Sequence, residues 1–394
     1  MMIPRSVFVL LAVSLLLPSV NAQPPAKPRT DSLGDPLPPG AIARLGTLRF
    51  KHDPGRSARV HTAIFSPDGK KIASLADNGT LRLWDAATGK EFPGPWNTEI
   101  RCTAIAFSPD STLLAADFGR TLGGGVSLPL TLWNMAKAEE VKSLHDEMAL
   151  AVQADPKKNA PNLDLSTRSL AFTDDGKTLF AARRDGTVRS WDVAMGKETR
   201  AFLALDGKQK PPQADNNSGV AGVDFSFSPG AKHLAAHVHW LANVKKGKKS
   251  STQIVTAVIN LDPSGVNEPW RIEGKTLGMP IVFSADNKRV AITVAPNEVE
   301  LRDTLTGKLL ASPPLEQMFR GTGKIFGLAL SSDGSTMAVA GRGDLRVALW
   351  NLKNPDKFRT IITEAPYTRD AQCVAFSPDN KTLLIGAASD IQLY

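Results

Sequence analysis

Cysteine is nearly absent from this chain, with only Cys102 and Cys373 among 394 residues. Two thiols in so long a chain cannot form a disulfide framework, and both open apolar, strand-like runs where a small hydrophobe would pack. Aromatic residues are scarce at 6%, and tyrosine occurs twice, so a core must rest on Val, Leu, Ile, Ala and Phe. Hydrophobic residues still reach 42%, enough for a large core and too many for a disordered chain. Motifs of chemistry are missing as well: no HExxH, CxxC, GxSxG or EF-hand pattern occurs. "GTGK" at Gly321–Lys324 is followed by Ile325 rather than Ser or Thr, and Gly123–Gly125 has no Lys after it, so neither is a phosphate loop. The chain is expected to be no enzyme and to need no cofactor.

Long apolar runs are also few. "VFVLLAVSLLL", Val7 to Leu17, is too short to span a bilayer as a helix; Arg5 precedes it and Pro18 breaks it. Val20-Asn21-Ala22 supplies small residues, so residues 1–22 read as a signal peptide cut after Ala22, with an uncleaved anchor as the alternative. No cysteine lies near for a lipid anchor, and no membrane segment is expected after cleavage. The expected location is therefore periplasmic or extracellular. The formal net charge of +8 loses one arginine and becomes +7, an excess that speaks to solubility. Residues 23–43 form a linker, six prolines falling within "QPPAKPRTDSLGDPLPPG".

What is present is a repeat. "FSPDG" at Phe65 recurs as "FSPDS" (Phe107), "FTDDG" (Phe172), "FSPGA" (Phe227), "FSADN" (Phe283), "LSSDG" (Leu330) and "FSPDN" (Phe376). Measured between Ser66, Ser108, Thr173, Ser228, Ser284, Ser331 and Ser377, the spacings are 42, 65, 55, 56, 47 and 46. Each copy follows a short apolar strand and suits a tight turn, in which Ser accepts a backbone bond, Pro presets φ and Gly eases the exit. A second strand, a polar turn, a third strand ending in Trp84, Trp133, Trp191 or Trp350, and a fourth strand follow. Those tryptophans lie 18, 25, 18 and 19 residues after the turn Ser or Thr, Arg302 holds the place in the fifth unit and Tyr394 lies 17 after Ser377. A tryptophan at this spacing packs against the neighbouring unit and is structural.

Four short antiparallel strands per unit predict an all-β, seven-bladed propeller over 44–394, with blades near 58–99, 100–144, 167–205, 219–274, 276–313, 323–364 and 370–394. The last unit, ending "GAASDIQLY", lacks a fourth strand, and "RLGTLRF" at residues 44–50 is a surplus one. Pairing the two would close the ring and cover an open edge.

The pairs Trp84-Asp85, Trp191-Asp192, Trp133-Asn134 and Trp350-Asn351, closing "LWD"-like third strands, resemble the WD40 repeat family over about residues 45–394. The lead-in "GDPLPPGAIARLGTLRF" is similar to that of exported bacterial propellers of planctomycete type. Tol-type propellers also use "SPDG" turns, but "LWDAATGK" favours the WD type. The resemblance implies a His, Ser/Thr, Asp and Trp network in each blade, the Asp six residues before the Trp. Asp185 fits that place, Asn78 occupies it in the first unit, and the fourth reads "AVINLD" without a Trp, so most blades are expected to lack the full network.

Strand alternation puts the second-to-third and fourth-to-first connections on one face, called the top. The long insertions, Asp117–Pro129, His145–Ser166, Asp206–Gly219 and Asn243–Ser251, all fall there, over blades two to four. Clustered loops on a rigid scaffold point to binding, although surface loops also lengthen at little cost. Lys245, Lys246, Lys248 and Lys249 form a basic tip that suits an anionic partner such as an envelope polymer, or is simply solvated. No aromatics interleave with these lysines, which disfavours nucleic acid. His237 and His239 share a strand face and could bind a metal, but no thiol or well-spaced carboxylate joins them and no metal is expected. The expectation is a monomeric, exported, non-catalytic scaffold for an unidentified protein partner. A lectin-like or anionic-polymer-binding propeller is the alternative, and an enzyme with a site at the central channel is a third reading.

Overall fold

A computed structural model describes residues 30, 49–52, 58–94, 102–118, 130–144, 166–184, 186–203, 219–242, 251–261, 267–274, 280–295, 297–315, 324–341, 346–354, 357–362, 371–387 and 389–394. Their strands form seven antiparallel sheets in sequence order. The first holds β1 (Val60–Phe65), β2 (Lys71–Ala76) and β3 (Leu81–Asp85); the second holds β4 (Cys102–Phe107), β5 (Leu113–Phe118), β6 (Leu130–Asn134) and β7 (Glu139–Leu144). The third holds β8 (Thr167–Phe172), β9 (Thr178–Arg183), β10 (Thr187–Asp192) and β11 (Glu198–Leu203); the fourth holds β12 (Gly219–Phe227), β13 (His233–Ala242), β14 (Ser251–Asn260) and β15 (Asn267–Gly274). The fifth holds β16 (Ile281–Phe283), β17 (Arg289–Ala295), β18 (Glu298–Asp303) and β19 (Leu309–Ala311). The sixth holds β20 (Ile325–Leu330), β21 (Thr336–Gly341), β22 (Arg346–Asn351) and β23 (Phe358–Ile362), and the seventh β24 (Ala371–Phe376), β25 (Leu383–Ala387) and β26 (Asp390–Leu393). This is a seven-bladed β-propeller. Among the described residues the fourth strand of the first blade is one bridge, Trp84 to Glu91, and Pro93, which has no N–H to donate, follows close behind.

Both faces of every sheet are covered. Apolar clusters lie at all seven seams, and the one between the last and first blades joins Cys373, Leu384 and Ile391 to Val60, Ala63, Ile72 and Trp84. Trp84, Trp191 and Trp350 are fully buried, and Trp133 is nearly so. Each sits opposite the residue seven places after its turn aromatic or Leu: Ile72, Leu179, Met337 and Leu114. By the same register Ile259 takes the place in blade four and Arg302 in blade five. Tyr394 exchanges both backbone bonds with Leu383 at the corresponding position. It differs from the tryptophans in remaining 42% exposed, its hydroxyl donating to Gln392 Oε1 at 2.9 Å.

The repeated turn works as its residues suggest and adds one bond more. Ser66 Oγ accepts from Lys71 N at 2.9 Å and donates to Asp68 Oδ1 at 2.6 Å. The same hydroxyl-to-carboxylate bond recurs in Ser108–Asp110, Thr173–Asp175, Ser284–Asp286, Ser331–Asp333 and Ser377–Asp379. The fourth unit has Gly230 at the Asp position, and Ser228 caps only the backbone. These bonds, the Ser or Thr hydroxyl foremost, hold the carboxyls of Asp110, Asp175, Asp286 and Asp379 below the usual range and that of Asp333 at about 2. A carboxylate held low in the folded state stabilises fully above its unfolded pKa, and that stability is lost as pH falls through the folded value. Thermal melts should therefore fall between pH 4 and 2, and Asp333→Asn should melt lower at pH 6 with the difference vanishing near pH 2. An equal penalty at both pH values would refute the assignment.

Successive blades are also latched at the rim. Trp270 Nε1 of blade four donates to Thr304 O of blade five at 2.8 Å, and Lys142 Nζ of blade two donates to Ala194 O of blade three. The turns receiving them carry Gly307 and Gly196 at φ +68° and +71°, where an added Cβ would collide with Trp270 or Lys142. Arg49 and Phe50 make the same latch on blade one: Arg49 Nη1 donates to Thr88 O at 2.9 Å, and the Phe50 ring covers Gly89. Lys51 bridges Asp390 antiparallel, His52 N donates to Ser389 O at 2.8 Å, and Ile391 N donates to Phe50 O at 3.0 Å. Residues 44–48 of the expected closing strand lie outside the described residues.

His52 carries these contacts into the first blade. Trp84 Nε1 donates to Ser74 Oγ at 2.8 Å, Ser74 Oγ meets His52 Nε2 at 2.6 Å, and His52 Nδ1 meets Thr80 Oγ1 at 3.0 Å. Thr80 Oγ1 donates to Asn78 Oδ1 at 2.8 Å, so the proton between His52 and Thr80 belongs to Nδ1, and Nε2 accepts from Ser74. Asn78 thus ends a His–Ser–Trp chain although it stands where Asp was expected. Burial pushes the His52 pKa down to about 3, with Arg82 and His61 adding to the effect.

Candidate functional site

The first strands of the blades line the centre of the ring and run from the top face to the Ser–Asp turns. In blades one, two, three, six and seven their pairing with the second strand slips by one residue near the top. The extra residue stands four places before the turn aromatic or Leu: His61, Thr103, Arg168, Phe326 and Gln372. A β-bulge leaves its residue unpaired and re-aims the side chain. The residues just before these, Val60, Cys102, Thr167, Ile325 and Ala371, are all 0–2% exposed. His61 and Arg168 are instead exposed, and Thr103, Phe326 and Gln372 half-buried. Five blades thus carry one unpaired residue each on an inner strand at the mouth of the channel. In blade four the slip lies two residues further out, between Val220 and Gly222.

Beneath the mouth, blades two and three share a buried charged pair. Asp117 and Arg183 are each 6% exposed; Asp117 stands at the level of the second strand that Leu75, Ala340 and Gly386 hold in other blades, and Arg183 one residue further on, where Ala76, Gly341 and Ala387 stand. Burial pushes the Asp117 carboxyl up, opposed by the Thr167 hydroxyl, Arg183 and the Thr167 backbone N–H. Thr103 Oγ1 donates to Asp117 O at 3.2 Å. The backbone carbonyl of Asp117 therefore braces Thr103. Arg168 meets Asp224 of blade four at 3.9 Å, too far for a hydrogen bond.

The residues singled out in the sequence fare differently. Lys245, Lys246, Lys248, Lys249 and Asp185 lie outside the described residues. His237 is buried, its Nδ1 meeting Thr256 Oγ1 at 2.6 Å, and His239 pairs through its backbone with Gly222 and Ile254. Among the described residues no group of three or more His, Cys, Asp or Glu is placed to hold a metal ion, and no helix is long and apolar enough to cross a membrane. Cys102 and Cys373 are both buried free thiols; burial pushes Cys373 up to about 12 and Cys102 higher still, which makes them inert packing groups. Sequence reasoning missed His52 and the bulged ring. A fixed offset of four residues before each turn would have located the ring, had pairing been known.

Comparisons with known proteins agree with this geometry. The family model for the WD domain, G-beta repeat (WD40), matches residues 46–85 and 165–192. The chain is 31% identical over 156 residues to the small ribosomal subunit protein RACK1 of Caenorhabditis elegans, covering 39% of this chain and 43% of that one. It is 30% identical over 139 residues to MST50-interacting protein 11 of Pyricularia oryzae, covering 35% and 39%. The chain spans less than half the length of these curated relatives. Among solved structures, Kuenenia stuttgartiensis hydrazine synthase superposes with a TM-score of 0.60 over 89% of this chain and 99% of that one, at 16% identity, a likeness of fold alone.

Proposed function

We propose that this chain is an exported, non-catalytic interaction scaffold that binds a protein partner on its top face, centred on the channel mouth and extending over the loops of blades two to four. The observation that carries it is the bulge repeated in five blades, which leaves one unpaired residue on each of these inner strands at the mouth. A bulge costs ladder hydrogen bonds, and repetition of this one at a fixed place in five blades marks a presented surface rather than a packing accident. Similarity to a protein named for its interaction, MST50-interacting protein 11, supports the same class of role.

Crosslinking and pull-down from the envelope fraction test this reading. Wild-type chain should capture a defined partner, and Phe326→Ala should lose most of it while melting within a few degrees of wild type, because an aromatic anchor at the centre of an interface carries much of its energy. Deleting residues 243–251 should weaken capture if the lysine tip contributes. Identical partner sets for all three chains would reject the mouth and the loop together.

A further inference from the structure

The mouth is chemically lopsided. Its bulged positions include a guanidinium, an imidazole and an amide, at Arg168, His61 and Gln372, and no carboxylate. Arg168 offers five donors, and its neighbour Asp224, at 3.9 Å, accepts no hydrogen bond from it at that distance. Gln372 Nε2 is covered yet has no acceptor among the described residues, a situation that favours any ligand bringing one. Thr103 spends its own proton on Asp117 O. Phe326 adds an apolar contact on the side of blade six.

We propose that this donor arc recognises carboxylate side chains of an acidic segment on the protein partner, with Arg168 as the charged contact, Gln372 as the amide donor and Phe326 taking the segment's apolar neighbour. The inference rests on the mouth being the contact surface and adds the partner's chemistry. The support for an acidic peptide is local: Arg168 is the charged side chain among the bulged residues, its ion pair with Asp224 is long at 3.9 Å, and a guanidinium free to add a second carboxylate favours anionic partners over basic ones.

The test is fluorescence anisotropy at about 50 mM salt with labelled octaglutamate, octaglutamine and an alginate oligomer, on full-length chain and on chain lacking residues 243–251. Octaglutamate should bind both chains and octaglutamine neither. Arg168→Gln should weaken octaglutamate binding about tenfold or more, and Arg168→Lys should recover only part of it because the planar fork is lost. Equal binding of the two peptides, or an unaltered affinity in Arg168→Gln, overturns the proposal; so does alginate binding more tightly than octaglutamate with the same Arg168 dependence, which would make the ligand an anionic polysaccharide. Partner capture that depends on Phe326 while octaglutamate fails to bind would leave the scaffold reading standing and sink only the acidic chemistry.

Discussion

His52→Ala should cost the folded chain about 3 kcal/mol at pH 7.5 and lower its melting temperature by roughly 4 °C. The side chain bonds to Ser74 and Thr80 inside blade one, while the backbone of the same residue bonds to Ser389 in blade seven. Alanine would keep the backbone bond but leave the hydroxyls of Ser74 and Thr80 each short of a partner. The penalty has a pH signature. His52 has a folded pKa of about 3 against an ordinary 6.5, so as pH falls below 6.5 the unfolded chain takes up a proton that the folded chain refuses. Wild type then loses about 1.4 kcal/mol per pH unit from this group, a loss the alanine variant cannot share. The gap between the two should narrow by about 2 kcal/mol between pH 7.5 and 5. A pH-independent gap would mean that His52 is not buried neutral. Removing residues 44–50 tests the neighbouring contacts: we expect the whole propeller to lose stability in one transition, because Phe50 and the residues after it join the outer edge of the last blade to the first. Unchanged melting would refute the closing role.

The blade architecture was legible because it is written in local chemistry. Ser-Pro-Asp-Gly turns and the distance from turn to tryptophan are properties of a single hairpin, and the observed register places Trp84, Trp133, Trp191 and Trp350 at one level. Even the irregular units follow it, with Arg302 in the tryptophan's place stabilised by Glu300 at 2.7 Å and Gly307 O at 2.6 Å. The mouth was not legible for the opposite reason. A bulge is a relation between two strands, and nothing in "VHTAIF" or "AQCVAF" marks the second residue as the unpaired one. His52 escaped because its partners, Ser74 and Thr80, lie 22 and 28 residues away in the chain, a distance over which sequence spacing carries no signal without the fold.

Glu198→Ala should be at least as disruptive, by about 3 to 5 kcal/mol. "LRLWDAATGKE" and "VRSWDVAMGKE" place an Arg two residues before the tryptophan and a Glu seven after it, and in both blades the two meet: Arg82 with Glu91 at 2.7 Å and Arg189 with Glu198 at 2.6 Å. Sequence spacing is identical, but surroundings are not. The side chains of Arg189 and Glu198 are 5% and 13% exposed, those of Arg82 and Glu91 18% and 29%. Removing Glu198 takes a carboxylate from a guanidinium that water reaches poorly, and the cost is mostly that of a buried charge left less well compensated rather than of the lost attraction. Glu91→Ala leaves Arg82 better able to solvate, and should cost about 1 kcal/mol. The decisive comparison is the double variant Arg189→Met/Glu198→Ala, which removes the charge along with its partner and should recover more than half of the single variant's loss by denaturant melts. If the double variant is as unstable as the sum of the two singles, the pair contributes through packing volume. If Glu198→Ala costs no more than Glu91→Ala, burial is not what sets the strength of this repeated bridge.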